Sequence, residues 1–343
     1  MLRDGRLFGR RAGSFTLQWH LTNACELACL HCYDRTNLGC LSLAQAEKVL
    51  GDVLAFCRQA KVAPQVCLTG GNPFLYPNFL ALYRAVAATS CSISILGNPV
   101  AEERLAEIVA LRPPIYFQVS LEGRREYNDR IRGAGHFDRV LAFLPLLREW
   151  QVPSQVMLTV HRDNLAELVP LAIELAGQAD RFTFNRLAQI GSGAQLALPD
   201  KRAYVELLKS YVVASRTNPH LHFKDGLFNI MRLHFGRPRS RGCTGFGCGA
   251  AFNFVAVLPD GQVHACRKFP SPIGNLLQAS LTEIYASPAA RRYRQGSRAC
   301  RFCRLRNCCG GCLAVSHGAG LPELRARDPH CFMRERKQLL APF

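Results

Sequence analysis

The sequence lacks any long apolar run. No stretch of its 343 residues approaches the roughly 18 consecutive apolar residues that a membrane-spanning helix needs, so we expect no membrane segment. The first ten residues carry charge without an apolar run behind it, which is unlike a secretory signal. These absences predict a cytoplasmic protein. A hydrophobic share of 48% excludes a disordered chain and indicates a sizeable core.

Acidic residues are also scarce. Asp and Glu number 25 against 43 Lys and Arg, which gives a formal net charge of +18. A positive surplus of this size is typical of proteins that bind nucleic acid or an acidic partner. The choice between these depends on where the charges lie.

Cysteine, by contrast, is abundant, with 16 residues. In a chain without a secretory signal, so many cysteines indicate metal ligation before disulfides. Seven lie before residue 92 and nine lie between Cys243 and Cys331, separated by about 150 residues without cysteine. This gap predicts a catalytic domain over residues 1–218, a connector over 219–242 and a cysteine-rich, metal-binding domain over 243–343.

Before the gap, short β-branched or aromatic runs alternate with amphipathic segments. The predicted strands are Phe15–Leu21, Gln65–Thr69, Cys91–Leu96, Ile115–Leu121, Gln155–Val160 and Arg181–Arg186. The predicted helices are Ser42–Lys61, Pro77–Ala88, Ala101–Leu111, Phe137–Trp150, Asn164–Gly177 and Asp200–Thr217. This alternation predicts parallel βαβ units, in either a partial barrel or an open doubly wound sheet. In both folds ligands bind at the C-terminal ends of the strands.

A CxxxCxxC motif, formed by Cys25, Cys29 and Cys32, follows the first predicted strand directly. Three thiolates this close together can hold three irons of a [4Fe–4S] cluster and leave the fourth iron free for a small chelating ligand. The alternatives are zinc, with His31 or Cys40 as a fourth ligand, and accidental clustering. The position of the motif after a strand favours the cluster.

Polar and glycine-rich segments follow the next three predicted strands. Gly70-Gly71-Asn72-Pro73 comes after the second strand, Asn98 follows the third, and Ser120 ends the fourth. Because the C-terminal ends of parallel strands meet at one edge, we expect these residues to converge there with the three cysteines. Taken singly, Asn98 and Ser120 are also common turn residues.

With these motifs the sequence resembles the radical S-adenosylmethionine (SAM) superfamily, from Thr16 to about Gly193. The resemblance implies that the amino and carboxylate groups of SAM chelate the free iron. It also implies that a Gly-Gly-Glu-Pro segment contacts the SAM amino group, and here Asn72 replaces the usual Glu. An amide oxygen still accepts a hydrogen bond from an ammonium, without the charge.

Further segments support the same resemblance. Leu96-Gly97-Asn98 is similar to the Thr-Asn-Gly turn of the family, and the segment 119–123 is similar to its Ser-Leu-Asp-Gly segment. The implied SAM-binding residues are Gly70, Gly71, Asn72, Asn98 and Ser120. No catalytic acid or base stands out beyond the cluster ligands. We therefore expect an α/β fold, a partial (βα)6 barrel followed by a cysteine-rich domain that holds auxiliary iron–sulfur clusters.

The C-terminal cysteines resemble the SPASM domain, an extension of radical SAM enzymes that carries two auxiliary [4Fe–4S] clusters. The resemblance implies that the first auxiliary cluster is held by Cys243, Cys248, Cys266 and Cys312. It implies that the second is held by Cys300, Cys303, Cys309 and Cys331. The spacing departs by one residue from the family pattern, so the third ligand of the second cluster is Cys309 or Cys308, and we favour Cys309. A zinc ribbon is the alternative, although the loop between the cysteine pairs is short for one.

The resemblance implies an enzyme that cleaves SAM reductively to a 5′-deoxyadenosyl radical, which takes hydrogen from an unactivated carbon. SPASM enzymes mostly modify peptides, and the run Gly-Gly-Asn-Pro-Phe-Leu-Tyr-Pro is similar to that of maturases of Cys-containing, selenobiotic-type peptides. We therefore predict a radical SAM oxidoreductase that oxidatively modifies or crosslinks a ribosomally made precursor peptide. The alternatives are action on a protein side chain, as in sulfatase maturases, or on tRNA, and a non-enzymatic zinc or electron-transfer protein.

The expected partners follow from this reaction. They are the precursor peptide and an electron donor such as flavodoxin or ferredoxin. About 15 residues precede the first strand, too few for a winged peptide-recognition domain, so we expect a separate leader-recognition protein or the chain's own basic surface to bind the leader. No appended RNA-binding module is evident, so nucleic acid is not an expected partner.

Five cysteines remain without a ligand role. Cys40, Cys57, Cys67 and Cys91 are expected to be small buried apolar residues, while Cys308 stays open. The expected clusters also balance part of the positive charge. Three clusters with their thiolates lower the net charge from +18 to roughly +13. Seven arginines between residues 291 and 306 lie beside the expected cluster ligands.

Overall fold

The computed structural model describes residues 6–7, 10–34, 36, 38–234, 243 and 245–333. Residues 235–242 of the predicted connector therefore lie outside the described residues. So do residues 1–5, 8–9, 35, 37, 244 and 334–343 of the two predicted domains. Near the start of the chain, two short strands, β1 (Arg6–Leu7) and β2 (Arg10–Arg11), pair in antiparallel fashion.

Six parallel strands form the centre of the fold. They are β3 (Ser14–His20), β4 (Ala63–Thr69), β5 (Ser92–Leu96), β6 (Tyr116–Ser120), β7 (Ser154–Val160) and β8 (Arg181–Arg186). Each strand pairs with the next in chain order. This is the order of a partial (βα)6 barrel, because the strand order of a doubly wound sheet reverses at a switch point. All six predicted strands are confirmed, with ends that differ by at most two residues.

Helices connect the strands. They are α1 (Leu43–Ala60), α2 (Phe79–Ala87), α3 (Glu102–Leu111), α4 (Arg125–Arg132), α5 (His136–Glu149), α6 (Leu165–Glu174) and α7 (Lys201–Ala214). Six of these were predicted. Helix α4 was not, because its sequence is almost entirely polar and buries only Asn128 and Ile131, so it has no apolar periodicity. A capping box begins α1, since Ser42 Oγ accepts from the Gln45 N–H and Gln45 Oε1 accepts from the Ser42 N–H.

The C-terminal region extends the same sheet. Strand β9 (Phe254–Val257) pairs in parallel with β3, and β10 (Gln262–His264) and β11 (Pro272–Asn275) continue in antiparallel fashion. Strands β9 and β10 form an antiparallel hairpin. Because β9 joins the free edge of β3, the C-terminal cysteines are attached beside the strand that precedes the three-cysteine loop.

Four further helices follow, α8 (Phe228–His234), α9 (Leu281–Ala286), α10 (Pro288–Gln295) and α11 (Leu313–Gly318). Helix α8 lies in the connector, where the sequence shows no clear periodicity. The core continues across the barrel and the C-terminal region. The rings of Phe15 on β3, Phe56 on α1 and Tyr285 on α9 form a cluster with centroids 4.8 to 6.0 Å apart. The C-terminal region is therefore packed directly on the barrel.

Three of the four N-terminal cysteines without a ligand role are buried, as expected, namely Cys57, Cys67 and Cys91. The expectation for Cys40 is wrong, because this residue is exposed on the loop before α1. That loop has no periodic pattern from which burial can be judged. In the described part of the chain, no helix is long and apolar enough to cross a membrane.

Candidate active site

The three N-terminal cysteines face one cavity. Cys25, Cys29 and Cys32 lie on the loop after β3 and line a cavity of about 340 Å³. The loop turns tightly, since the Cys32 N–H donates to the Cys29 carbonyl at 3.2 Å. Cys29 is buried, Cys32 is half-buried and Cys25 is exposed. The predicted motif thus presents three thiols to a shared space at the C-terminal ends of the strands.

The glycine pair after β4 lets this loop approach closely. The Gly71 N–H donates to the Thr22 carbonyl at 2.8 Å, and a Cβ on Gly71 would lie 2.3 Å from the Ala24 carbonyl oxygen. Gly70 has a φ of +145°, and a Cβ there would lie 2.3 Å from the Thr22 carbonyl oxygen. Only glycine fits at both positions, because the cysteine loop packs directly on this backbone.

The ends of four further strands complete the cavity wall. Asn98 and Ser120, both predicted site residues, line it together with Gly70 and Gly71. Further polar side chains of this wall were not predicted from the sequence, among them Gln118, Thr159, Asn185 and Lys268. Gln118, Thr159 and Asn185 lie on β6, β7 and β8. The alternation of side chains along these strands is the pattern from which their place in the wall could have been predicted. Lys268 has no such signal, because it comes from the C-terminal region.

Asn72 lies beside the cavity, buried except for 5% of its surface. Its Nδ2 donates to both carboxylate oxygens of Glu26, at 3.0 and 3.1 Å. Asn98 Nδ2 donates to the same carboxylate at 2.8 Å. The structure therefore brings the predicted residues Asn72 and Asn98 together through Glu26, which the sequence analysis did not single out.

A buried ion pair supports the cysteine loop from behind. Arg132, at the end of α4, donates to Glu122 at 3.0 Å, and its Nη1 lies 3.7 Å from Cys29 Sγ. Glu122 also contacts His31, whose Nε2 lies 3.3 Å from its carboxylate. Burial alone would raise the pKa of Glu122, but His31, Arg132 and the Thr159 N–H outweigh it and lower that pKa. Glu122 is thus a charged anchor inside the protein.

The first C-terminal set of cysteines is close together in space. Burial raises the pKa of the Cys266 thiol to about 12, and the neighbouring thiols of Cys312 and Cys243 contribute to this rise. Burial also raises the pKa of Cys248, with the same two thiols and Cys266 as neighbours. These are the four cysteines expected for the first auxiliary cluster. Buried thiols of this kind become good ligands when a metal stabilises the thiolates.

The second set lines a separate, small cavity. Its wall contains Cys300, Cys303, Cys309 and Cys331, the four cysteines expected for the second auxiliary cluster. Cys308 is not part of this wall, and its Sγ lies 3.5 Å from the Leu305 carbonyl oxygen.

The arrangement of the possible ligands differs from that of a single-ion site. Among the described residues, no three side chains of His, Cys, Asp or Glu are placed to share one metal ion. The ligands of an eight-atom cluster are spread around it and stand farther apart than the ligands of one ion, so both cysteine sets are compatible with clusters.

One ion pair and one hydrogen bond connect the first auxiliary set to the barrel. Arg267, next to Cys266, pairs with Asp34, two residues after Cys32. Lys268 lines the cavity of the N-terminal cysteines and donates to the Arg186 carbonyl at 2.6 Å. The first auxiliary set is thereby held next to the main cavity.

A barrel of parallel strands with cysteine sets at its C-terminal edge is typical of a class of iron–sulfur enzymes. Comparisons with known proteins identify the two domains of this chain. The sequence profile of the Radical SAM superfamily matches residues 19–175, and that of SPASM, an iron–sulfur cluster-binding domain, matches residues 248–309. The chain therefore contains a radical SAM domain and, C-terminal to it, a SPASM domain.

Similar proteins of known activity are of two kinds. AdoMet-dependent heme synthase of Methanosarcina barkeri is 25% identical, over 94% of this chain and 97% of that protein. Mycofactocin maturase MftC of Mycobacterium ulcerans is 28% identical, over 92% of this chain and 87% of that protein. The crystal structure of Streptococcus suis SuiB bound to its precursor peptide SuiA shares the fold, with a TM-score of 0.73 at 18% identity, covering 94% of this chain and 77% of that one.

The chain is accordingly an enzyme. Its cofactors are SAM, the [4Fe–4S] cluster of the radical SAM domain and the auxiliary [4Fe–4S] clusters of the SPASM domain. The residues present fit these groups. Thiols form a set of three and two sets of four, and thiolates are the usual ligands of iron–sulfur clusters. In addition, the buried Nδ1 of His31 on the cavity wall has no protein partner among the described residues, which leaves it free for a polar ligand.

Proposed function

We propose that the enzyme is a peptide maturase, which cleaves SAM reductively and oxidatively modifies or crosslinks a ribosomally made, Cys-containing precursor peptide. The observation that carries this proposal is the shared cavity. Its wall joins the thiols of Cys25, Cys29 and Cys32 to Lys268, which follows the auxiliary ligand candidate Cys266 by two residues. A substrate in this cavity would lie between the site where the radical forms and a site that can accept an electron.

The residue roles follow from the geometry. Cys25, Cys29 and Cys32 would hold the SAM-binding cluster, which when reduced supplies the electron that splits SAM. Gly70, Gly71, Asn72, Asn98 and Ser120 would form the SAM site. Cys243, Cys248, Cys266 and Cys312 would hold the first auxiliary cluster, and Cys300, Cys303, Cys309 and Cys331 the second. The Arg132–Glu122 pair would position the loop of Cys29, since Arg132 lies against the Cys29 thiol.

The reaction requires further partners. One electron must enter from a donor such as flavodoxin or ferredoxin, and the peptide must be bound through a leader-recognition protein or through the basic surface of this chain. We place the enzyme in the cytoplasm, where thiols stay reduced. The MftC relative and the fold shared with SuiB support the peptide as the substrate class.

Tetrapyrrole modification is the second candidate function. It is favoured by the haem synthase of similar length among the relatives. The basic chain would suit the carboxylates of a tetrapyrrole as well as those of an acidic leader peptide.

Anaerobic reconstitution followed by a 5′-deoxyadenosine assay tests the chemistry. Three clusters predict about 12 irons per chain and SAM cleavage that depends on a reductant. Replacing Cys25, Cys29 and Cys32 together by Ala should remove about four irons and all cleavage. The matched control is Cys40→Ala, an exposed thiol outside all three sets, which should keep both. Zinc in place of iron, or iron without cleavage, would contradict the proposal.

The substrate is tested in the same assay. Candidate peptides encoded beside the gene should stimulate 5′-deoxyadenosine formation and lose hydrogen, as measured by mass spectrometry. Stimulation by tetrapyrroles and by no peptide would replace the first candidate with the second.

A further inference from the structure

The Glu26 carboxylate is held beside the SAM-site cavity, in the wall of a neighbouring cavity that Arg130, Arg132 and Arg139 also line. Asn98, whose side chain lines the cavity, donates to Glu26 at 2.8 Å, and Asn72 donates to both Glu26 oxygens at 3.0 and 3.1 Å. The same Asn98 Nδ2 lies 3.6 Å from Cys25 Sγ. The Glu26 carboxylate therefore shares a donor with the first thiol of the CxxxCxxC motif.

The amide of Asn72 is oriented to support this carboxylate. Its Oδ1 accepts from the Phe74 N–H at 3.3 Å, which fixes the oxygen toward the backbone and turns Nδ2 to Glu26. A carboxylate only accepts hydrogen bonds, so this orientation is the one that both contacts require. The Asn72 oxygen is thus already engaged, and Glu26 supplies the negative charge at this place.

Glu26 also lacks a cation. Among the described residues, no Lys, Arg or His forms an ion pair with it. The two other carboxylates beside the cysteine loop are neutralised, Glu122 by Arg132 and Asp34 by Arg267. A carboxylate that is fixed by two amide groups, exposed and not in an ion pair is suited to a ligand group with N–H donors.

We propose that Glu26 accepts a hydrogen bond from the amino group of SAM, with Asn72 and Asn98 as positioning residues for its carboxylate. At the methionyl end of SAM, only the amino group carries N–H donors whose hydrogen bonds a carboxylate can accept. The place beside Cys25 agrees with a methionyl end that chelates the free iron. This assigns to Glu26 the contact that the sequence alone suggested for Asn72, and it rests on the SAM chemistry of the enzyme rather than on its peptide substrate.

SAM affinity of the cluster-loaded enzyme tests the proposal without turnover. Equilibrium dialysis under anaerobic conditions, with no reductant, gives the Kd. Glu26→Gln keeps an accepting oxygen but removes the charge, so the Kd should rise about 10- to 100-fold while the iron content stays constant. Glu47→Gln removes one exposed carboxylate from α1 and should leave the Kd unchanged.

An analogue of SAM with a keto group in place of the amine identifies the ligand atom. The ratio between the affinities for SAM and for the analogue should shrink at least about tenfold in Glu26→Gln. An unchanged ratio would overturn the proposal, since Glu26 would then act on the whole cofactor or on the fold. The ratio is measured without a peptide. It would therefore be unaffected if every candidate peptide failed to react.

If Glu26→Gln loses iron, a variant in which the carboxylate and the amide exchange positions still tests the proposal. The double variant Glu26→Asn with Asn72→Glu returns the carboxylate to the same place from the neighbouring position. Full iron content and a SAM Kd within about threefold of the wild type support the proposal, because a threefold change is well below the loss of one charged hydrogen bond. Weak SAM binding with full iron, or loss of iron in both variants, would assign Glu26 a structural role instead.

Discussion

Arg186 binds Asp328 with both terminal guanidinium nitrogens, at 2.6 and 2.7 Å, and binds Asp225 through Nε at 2.6 Å. Arg186 is the last residue of β8, and only 3% of its surface is exposed. Asp328 in turn accepts from the N–H of Cys312 at 2.8 Å. One buried arginine thus connects the barrel to the backbone of a candidate auxiliary-cluster ligand.

Removing this arginine should destabilise the enzyme strongly. Arg186→Met leaves two buried carboxylates without their cation, which is expected to cost about 3–5 kcal/mol. Thermal unfolding of the reconstituted enzyme should show a lower midpoint, and iron analysis should show loss of auxiliary iron. The control is Arg124→Met, which removes a bidentate but half-exposed pair with Glu167 and should lower the midpoint much less, because solvent screens such a pair. Equal effects of the two variants would refute the anchoring role of Arg186.

The assignment of the second auxiliary cluster can be tested at two adjacent cysteines. Cys309 lines the same small cavity as Cys300, Cys303 and Cys331, whereas Cys308 does not. Cys309→Ser should therefore lower the iron content by up to about four per chain, and Cys308→Ser should retain it. Iron analysis with electron paramagnetic resonance of the reduced enzyme measures both. The opposite outcome would give the ligand role to Cys308.

Local patterns in the sequence were sufficient to predict the strands and the cysteine motifs. The six parallel strands follow from short apolar runs, and the position of Cys25, Cys29 and Cys32 after β3 follows from their place in the chain. Both depend on spacing within a few residues, which a single sequence contains.

Partners that are distant in the chain could not be predicted. Asp328 is 142 residues from Arg186, and Arg132 is 103 residues from Cys29. The packing of the helices and strands decides which arginine approaches which acid. This pairing leaves no periodic pattern in the sequence. The same holds for Glu26, whose role becomes visible only when Asn72 and Asn98 are placed around it.

The glycine pair provides a steric prediction. In Gly71→Ala the new methyl group would meet the carbonyl oxygens of Ala24 and Asn23 at 2.3 and 2.6 Å, so the cysteine loop must move. We expect loss of about four irons and of SAM binding. Gly51→Ala on α1 meets nothing within 4 Å and should instead stabilise the helix by about 1 kcal/mol. If Gly71→Ala retained its iron, the close packing of loop and glycine would not be required for the cluster site.

Stability should depend on pH through His136. This side chain is 2% exposed, and its Nδ1 lies 3.1 Å from Asn128 Nδ2, which donates to it. Burial, together with Arg132 and Arg139, lowers the pKa of His136 from 6.5 to about 3. The folded state therefore keeps the ring neutral, while the unfolded chain binds a proton below pH 6.5. Stability is complete above that pH and decreases as the pH falls, by about 2 kcal/mol between pH 8 and pH 5.

His136→Gln isolates this contribution, because a Gln oxygen can accept from Asn128 and does not titrate. Denaturant unfolding at pH 8 and at pH 5 should show a loss of stability that is about 2 kcal/mol smaller in the variant than in the wild type. Other buried histidines with lowered pKa values, such as His20 and His264, account for pH dependence that remains. An equal loss in both proteins would mean that His136 is already protonated in the folded state at pH 5, and hence that Asn128 presents its oxygen rather than its amide nitrogen to the ring.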